Sequence, residues 1–162
     1  MLKRFPLPAD AAYSYEQRFS VDHRGTDIMA PLGTKVFAVE SGKAWSASDN
    51  KGGIVVYLEA PATTLFGDKH RYYYGHLWDA AIGREPRDVA AGDLLGYVGN
   101  TGNAKGGPPH LHFQARLGSL VIDPFDLLQA VDPHRERGSR SSSALPSGVL
   151  LLLLIWLAAR SK

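Results

Sequence analysis

Residues 106–116 read GGPPHLHFQAR, and from His110 onward polar and apolar side chains alternate. On a β-strand, side chains two apart share a face. The alternation predicts a strand with His110 and His112 on one face and Leu111 and Phe113 on the other, in a core. Pro108 and Pro109 hold the approach to this strand extended. Two imidazoles side by side have two readings: a solvated surface, or a metal or catalytic site. The rest of the chain has to decide.

Outward from that strand, other short runs have the same character: TKVFAV, GKAWSAS, GGIVVYLEA, RYYYGHL, DLLGYVG and SLVID. Gly, Pro, Asn or Asp bounds them, as turns require. A helical period is missing except in DPFDLLQAV, where Asp123 can cap a short helix with Pro124 at its first position. The pattern predicts an all-β domain of mainly antiparallel strands, either two packed sheets or a partly open barrel. RDVAAGDLLGYVGNTG reads as strand, turn, strand, a pattern also found in lipoyl- and biotinyl-type carrier domains. It has no lysine placed between the strands for modification, which argues against a carrier.

Composition narrows the function further. The chain has 162 residues, 21% charged, with a formal net charge of +2. Its Lys and Arg are scattered rather than striped, so nothing suggests a nucleic-acid partner. There is no cysteine, hence no disulfide and no thiolate-bound zinc. One domain is expected over residues 1–131, a polar linker over 132–144 and an apolar tail over 145–162. The N-terminus has basic residues without an apolar run behind them and does not read as a signal peptide.

Four histidines stand in restricted contexts. His23 opens HRGTD, which ends in Asp27; in an extended segment the two can face the same way, with Gly25 letting the backbone pass close. Taken singly, His23 reads equally as a loop residue and Asp27 as a turn or cap residue. His76 closes the aromatic run RYYYGHL, and His110 and His112 form an H-x-H pair. Zinc chemistry makes sense of the whole set. A catalytic zinc takes three protein ligands and keeps one position open, and two further imidazoles can then move protons or steady an oxyanion. Tyr74, two before His76, either lines the same cleft or belongs to the core. Gly99, Gly102 and Gly106 are expected to shape a loop needing positive φ, braced by Asn100 and Thr101.

HRGTDIMAPLGTKVFAVESGKA, YYYGHL and VAAGDLLGYVGNTGNAKGGPPHLHFQ resemble, in order, the motifs of the lysostaphin-like (LytM-type) zinc metallopeptidases. The resemblance runs from about residue 22 to 122. It implies a peptidoglycan endopeptidase with one Zn²⁺, bound by His23, Asp27 and His112, with His76 and His110 as the catalytic pair. It also implies a peptidoglycan peptide substrate and a place in the bacterial cell envelope. A different function on the same fold is a non-catalytic regulator that activates another cell-wall hydrolase. Retention of all three ligand positions favours the enzyme.

The apolar run at residues 148–159 would be about 18 Å long as a helix, against about 30 Å for a bilayer core. It therefore reads as membrane or envelope attachment, as a sorting-type signal, or as a docking helix for a partner.

Overall fold

The computed structural model describes residues 2–62 and 67–135. Its strands are β1 (Ser14–Tyr15), β2 (Thr26–Met29), β3 (Lys35–Phe37), β4 (Gly42–Asp49), β5 (Gly53–Ala62), β6 (Lys69–Leu77), β7 (Asp79–Ala80), β8 (Arg87–Val89), β9 (Leu94–Tyr97), β10 (His110–Leu117) and β11 (Leu120–Ile122). One helix, α1 (Phe125–Val131), follows them. The larger sheet runs β1-β2-β10-β6-β5-β4-β8, with β11 paired to β10; the smaller runs β3-β9-β7. Every pairing is antiparallel. The predicted all-β architecture with two sheets is what forms.

β10 shows why. Leu111, Phe113 and Ala115 are fully buried, while His110, His112 and Gln114 are not. The buried face packs on Tyr72 and Tyr74 of β6, with ring centroids of Phe113 5.9 and 5.3 Å away. Ile28, Val56 and Leu58 extend the same core. Burying side chains of this size stabilises by about 1.5–3 kcal/mol each. A one-residue slip of β10 would put both histidines into that core, so its register is strongly set.

Residues 87–97 behave differently from their sequence pattern. β8 pairs with β4 in the larger sheet, whereas β9 pairs with β3 and β7 in the smaller one. The turn between them bonds outward, Gly92 N–H to Ala38 C=O and Ala38 N–H to Asp93 C=O. It therefore links the two sheets and closes no hairpin.

At the helix start, the Asp123 carboxylate accepts the Phe125 N–H at 2.9 Å. Past the helix, the Asp132 carboxylate takes the hydroxyls of Tyr13 and Tyr15. His134 stacks on Tyr13 at 4.7 Å and bonds the Ala9 carbonyl. Packed contacts thus run on beyond residue 131, to the segment ahead of β1. The rest of the expected linker, from residue 136, and the apolar tail at 145–162 lie outside the described residues. Among the described residues, no helix is long and apolar enough to cross a membrane.

Candidate metal centre

The outer face of the larger sheet carries the histidines. His112 and Asp27 are direct cross-strand partners on β10 and β2. That register alone brings His112 Nδ1 to 2.7 Å from Asp27 Oδ1. His23 precedes β2 in a loop whose Ser20 and His23 bond one another through both main chain and side chain. The loop sets His23 Nε2 3.1 Å from Asp27 Oδ1 and 3.0 Å from His112 Nδ1. Gly25 makes the approach possible: a Cβ there would fall 2.8 Å from the His112 ring. One ligand atom from each of His23, Asp27 and His112 lies within 4.8 Å of the others, a spacing that can hold a metal ion.

The outer end of the His23 ring fixes its tautomer. His23 Nδ1 lies 3.0 Å from the Arg18 carbonyl. A carbonyl only accepts, so Nδ1 carries the hydrogen and Nε2 presents its lone pair to Asp27 and His112. His112 Nε2 faces the Gln114 amide at 2.9 Å. Burial acts to raise the Asp27 carboxyl, but the hydrogen bond and charge of His112, with the charges of His23 and His110, outweigh it and hold it below the usual carboxylate range. Asp27 is therefore ionised at neutral pH. Two imidazole nitrogens, His23 Nε2 and His112 Nδ1, and one carboxylate oxygen converge on a point, with 12–13% of the side-chain surface exposed. This donor set suits Zn²⁺. A tetrahedral zinc with bonds of about 2.0–2.1 Å separates its ligand atoms by about 3.3 Å. The observed separations of 2.7, 3.0 and 3.1 Å are shorter than this, and rotations of the side chains would open them.

His76 and His110 lie beside this cluster, their rings 4.8 Å apart in an edge-to-face arrangement. Each bonds a carbonyl through Nδ1: His76 to Thr101 at 2.9 Å, His110 to Pro108 at 3.0 Å. Each therefore turns Nε2 toward the cluster; that of His110 is 3.9 Å from Asp27 Oδ2. Burial pushes the His76 imidazole below its ordinary value; the Thr101 carbonyl acts against this and the charges of His110 and His112 add to it. The ring is neutral at pH 7.

His76 reaches the outer face by breaking the strand rule. Between the pairs Ile54↔Leu77 and Val56↔Tyr74, β6 has one residue more than β5, which is a β-bulge. His76 sits there at φ 62°, in the left-handed region, at a cost of about 1–3 kcal/mol. Its N–H bonds the Gly52 carbonyl at 2.7 Å. The bulge turns His76 outward and leaves Tyr74 inside. Tyr74 is fully buried and its hydroxyl accepts the Val39 N–H at 3.1 Å. Of the two readings of Tyr74, the core one holds, and the aromatic that lines the cleft is Tyr73.

The loop after β9 supports both histidines. Thr101 offers its carbonyl to His76 and its hydroxyl to the Leu77 carbonyl, and that hydroxyl accepts the Ile54 N–H. Asn100 bonds the Gly107 carbonyl. Gly102 and Gly106 have positive φ, as expected, but Gly99 does not. Gly99 is required by crowding: a Cβ would lie 2.2 Å from the Trp78 nitrogen.

All five residues singled out from sequence line one open cleft of about 680 Å³. Gln114 and Tyr73 line it too, and sequence reading missed both. Gln114 was within reach of the same alternation, two residues beyond His112. Tyr73 was hidden by the bulge.

An antiparallel two-sheet domain with such a cleft has the build of a metallopeptidase. The chain belongs to peptidase family M23, whose model matches residues 21–124. It is 32% identical over 109 residues to the DD-carboxypeptidase/endopeptidase Mpg of Neisseria meningitidis serogroup B, covering 65% of this chain and 22% of that protein. It is 34% identical over 126 residues to lysostaphin of Staphylococcus staphylolyticus, covering 72% and 24%. The catalytic domain of the antimicrobial peptidase lysostaphin from Staphylococcus simulans superposes with a TM-score of 0.59 at 30% identity, over 72% of this chain and 92% of that domain. The matched region spans between a fifth and a quarter of the length of the two curated relatives.

Proposed function

We propose that the domain is a zinc endopeptidase that hydrolyses peptide cross-links of bacterial peptidoglycan. The observation that carries this reading is the convergence of His23 Nε2, Asp27 Oδ1 and His112 Nδ1 beside two imidazoles with free Nε2 atoms. His23, Asp27 and His112 would hold the ion. Zinc in such a place supplies Lewis acidity and a water acidified toward neutral pH. The protein's own part is proton traffic. Amide hydrolysis needs a proton taken from the attacking water and one delivered to the departing amine. His76 and His110, each oriented by a backbone carbonyl, are placed for both duties and for hydrogen bonding the oxyanion. The substrate class follows a relative named peptidoglycan DD-endopeptidase, ShyC of Vibrio cholerae, and with it a location at the cell envelope.

The test is digestion of defined peptidoglycans by the zinc-loaded full chain, with the new ends identified by mass spectrometry. New amino and carboxyl ends within cross-links are expected. Bound zinc with no new ends would reject the enzyme and favour the regulator.

Gln114 makes a further prediction. With the Nδ1 lone pair of His112 given to a metal, Nε2 carries the hydrogen and needs an acceptor. A half-turn of the Gln114 amide supplies its oxygen at the same 2.9 Å contact. Gln114→Leu should weaken zinc binding by about 10–100-fold, as loss of a ligand's hydrogen-bond partner does. Chelator competition measures this, and unchanged affinity would leave Gln114 as a surface residue of the cleft.

A further inference from the structure

Trp45 of β4 is the direct partner of Tyr57 on β5; Tyr57 is the partner of Tyr73 on β6, and Tyr73 of Gln114 on β10. Four side chains therefore stand in one row across the outer face of the larger sheet. With strands about 4.8 Å apart, the row spans about 14 Å. Trp45 and Tyr57 stack at 5.5 Å, and Tyr57 meets Tyr73 edge-on at 5.4 Å. At the other end, the Tyr73 ring is 6.1 Å from that of His112. A groove of about 780 Å³ follows the row and shares Lys51, Tyr73 and Gln114 with the metal cleft.

Folding alone does not account for this groove, because the core lies on the opposite face of the sheet. Its charges are also arranged at a cost. Arg71 and Arg116 are direct cross-strand partners, and like charges so placed repel. Glu59 neutralises Arg71 at 2.9 Å and already carries Lys69 at 2.6 Å. Asp49 accepts the Lys51 and Gly52 amides and the Tyr73 hydroxyl. Among the described residues, the Arg116 guanidinium is left without an ion pair. It is exposed, on the same face as Gln114 and two residues from it.

We propose that this groove is the subsite for a carboxylate-bearing peptide strand of the substrate, with its body against Tyr73, Tyr57 and Trp45 and a carboxylate on Arg116. A guanidinium binds a carboxylate through two parallel hydrogen bonds, and flat aromatic rings take a peptide strand at little entropic cost. Continuity with the metal cleft places that strand on one side of the bond to be cut. The proposal rests on the peptidase reading above, and its test separates the two.

The zinc-loaded full chain is titrated with a tetrapeptide stem released from peptidoglycan, and with the same peptide after conversion of its carboxylates to carboxamides. The wild type should prefer the carboxylate form by about tenfold, as for a hydrogen bond to a charged group. Arg116→Gln should erase that preference, raising Kd and KM for the carboxylate form while zinc content stays the same. Trp45→Ala should weaken both forms several-fold. Equal binding of both peptides by the wild type, or an unchanged preference in Arg116→Gln, overturns the subsite. So does Trp45-dependent binding of a peptide-free glycan strand in place of the peptide. Arg116-dependent binding without any cleavage of cross-links upholds the groove and removes the hydrolase reading; cleavage with no dependence on Arg116 does the reverse.

Discussion

His112→Ala and Asp27→Ala are each expected to abolish stoichiometric zinc binding and, with it, hydrolysis. Three protein ligands are the minimum for such a site, and each variant leaves two. Asp27 is the harsher loss. Its Oδ1 lies within 3.1 Å of both His23 Nε2 and His112 Nδ1 and, among the described residues, is the only negative charge between them. Without it, a divalent cation would meet two imidazoles alone. The carboxylate is ionised at neutral pH, so it needs no proton loss to bind metal. Elemental analysis of the purified variants checks this; one zinc per chain in both would reject the assignment of ligands.

His76 and His110 should behave in the opposite way toward metal. His110→Ala and His76→Ala should keep zinc and lose about two or more orders of magnitude in rate, the usual scale for a general acid–base or oxyanion group. His76 needs a second variant, because its left-handed backbone penalises most side chains. Asparagine tolerates that conformation better than alanine, so His76→Asn separates loss of the imidazole from loss of the bulge. Rates at the wild-type level with zinc retained would make both histidines structural. Loss of zinc in His110→Ala, with His112→Ala unaffected, would mean the H-x-H pair divides its work the other way.

The H-x-H strand was legible because its two faces meet different solvents. Leu111 and Phe113 require a core, so His110 and His112 must face out, and the period of two states this locally. The runs that became β3, β4, β5, β6, β9, β10 and β11 were legible for the same reason. The two-residue strands β1 and β7 were not, since so few residues carry no period. The pairing of β8 was also hidden. Its partner is set by pairing with Gly42–Ala44, and the turn after it by main-chain bonds to Ala38; no side-chain pattern in residues 87–97 encodes either.

From its sequence alone, then, this protein is an all-β domain carrying four histidines and an aspartate in motif positions. Local alternation and turn chemistry are properties of short segments, and they are enough for that. Tertiary structure decided which groups touch. His112 meets Asp27 because β10 and β2 pair in one register, 85 residues apart in the chain. Tyr73 rather than Tyr74 lines the cleft because one extra residue in β6 reverses the alternation before His76. The row from Trp45 to Gln114 exists only where four strands lie side by side. Register and bulges are set by hydrogen bonds between distant segments, and the free energy that selects them belongs to the assembled sheet.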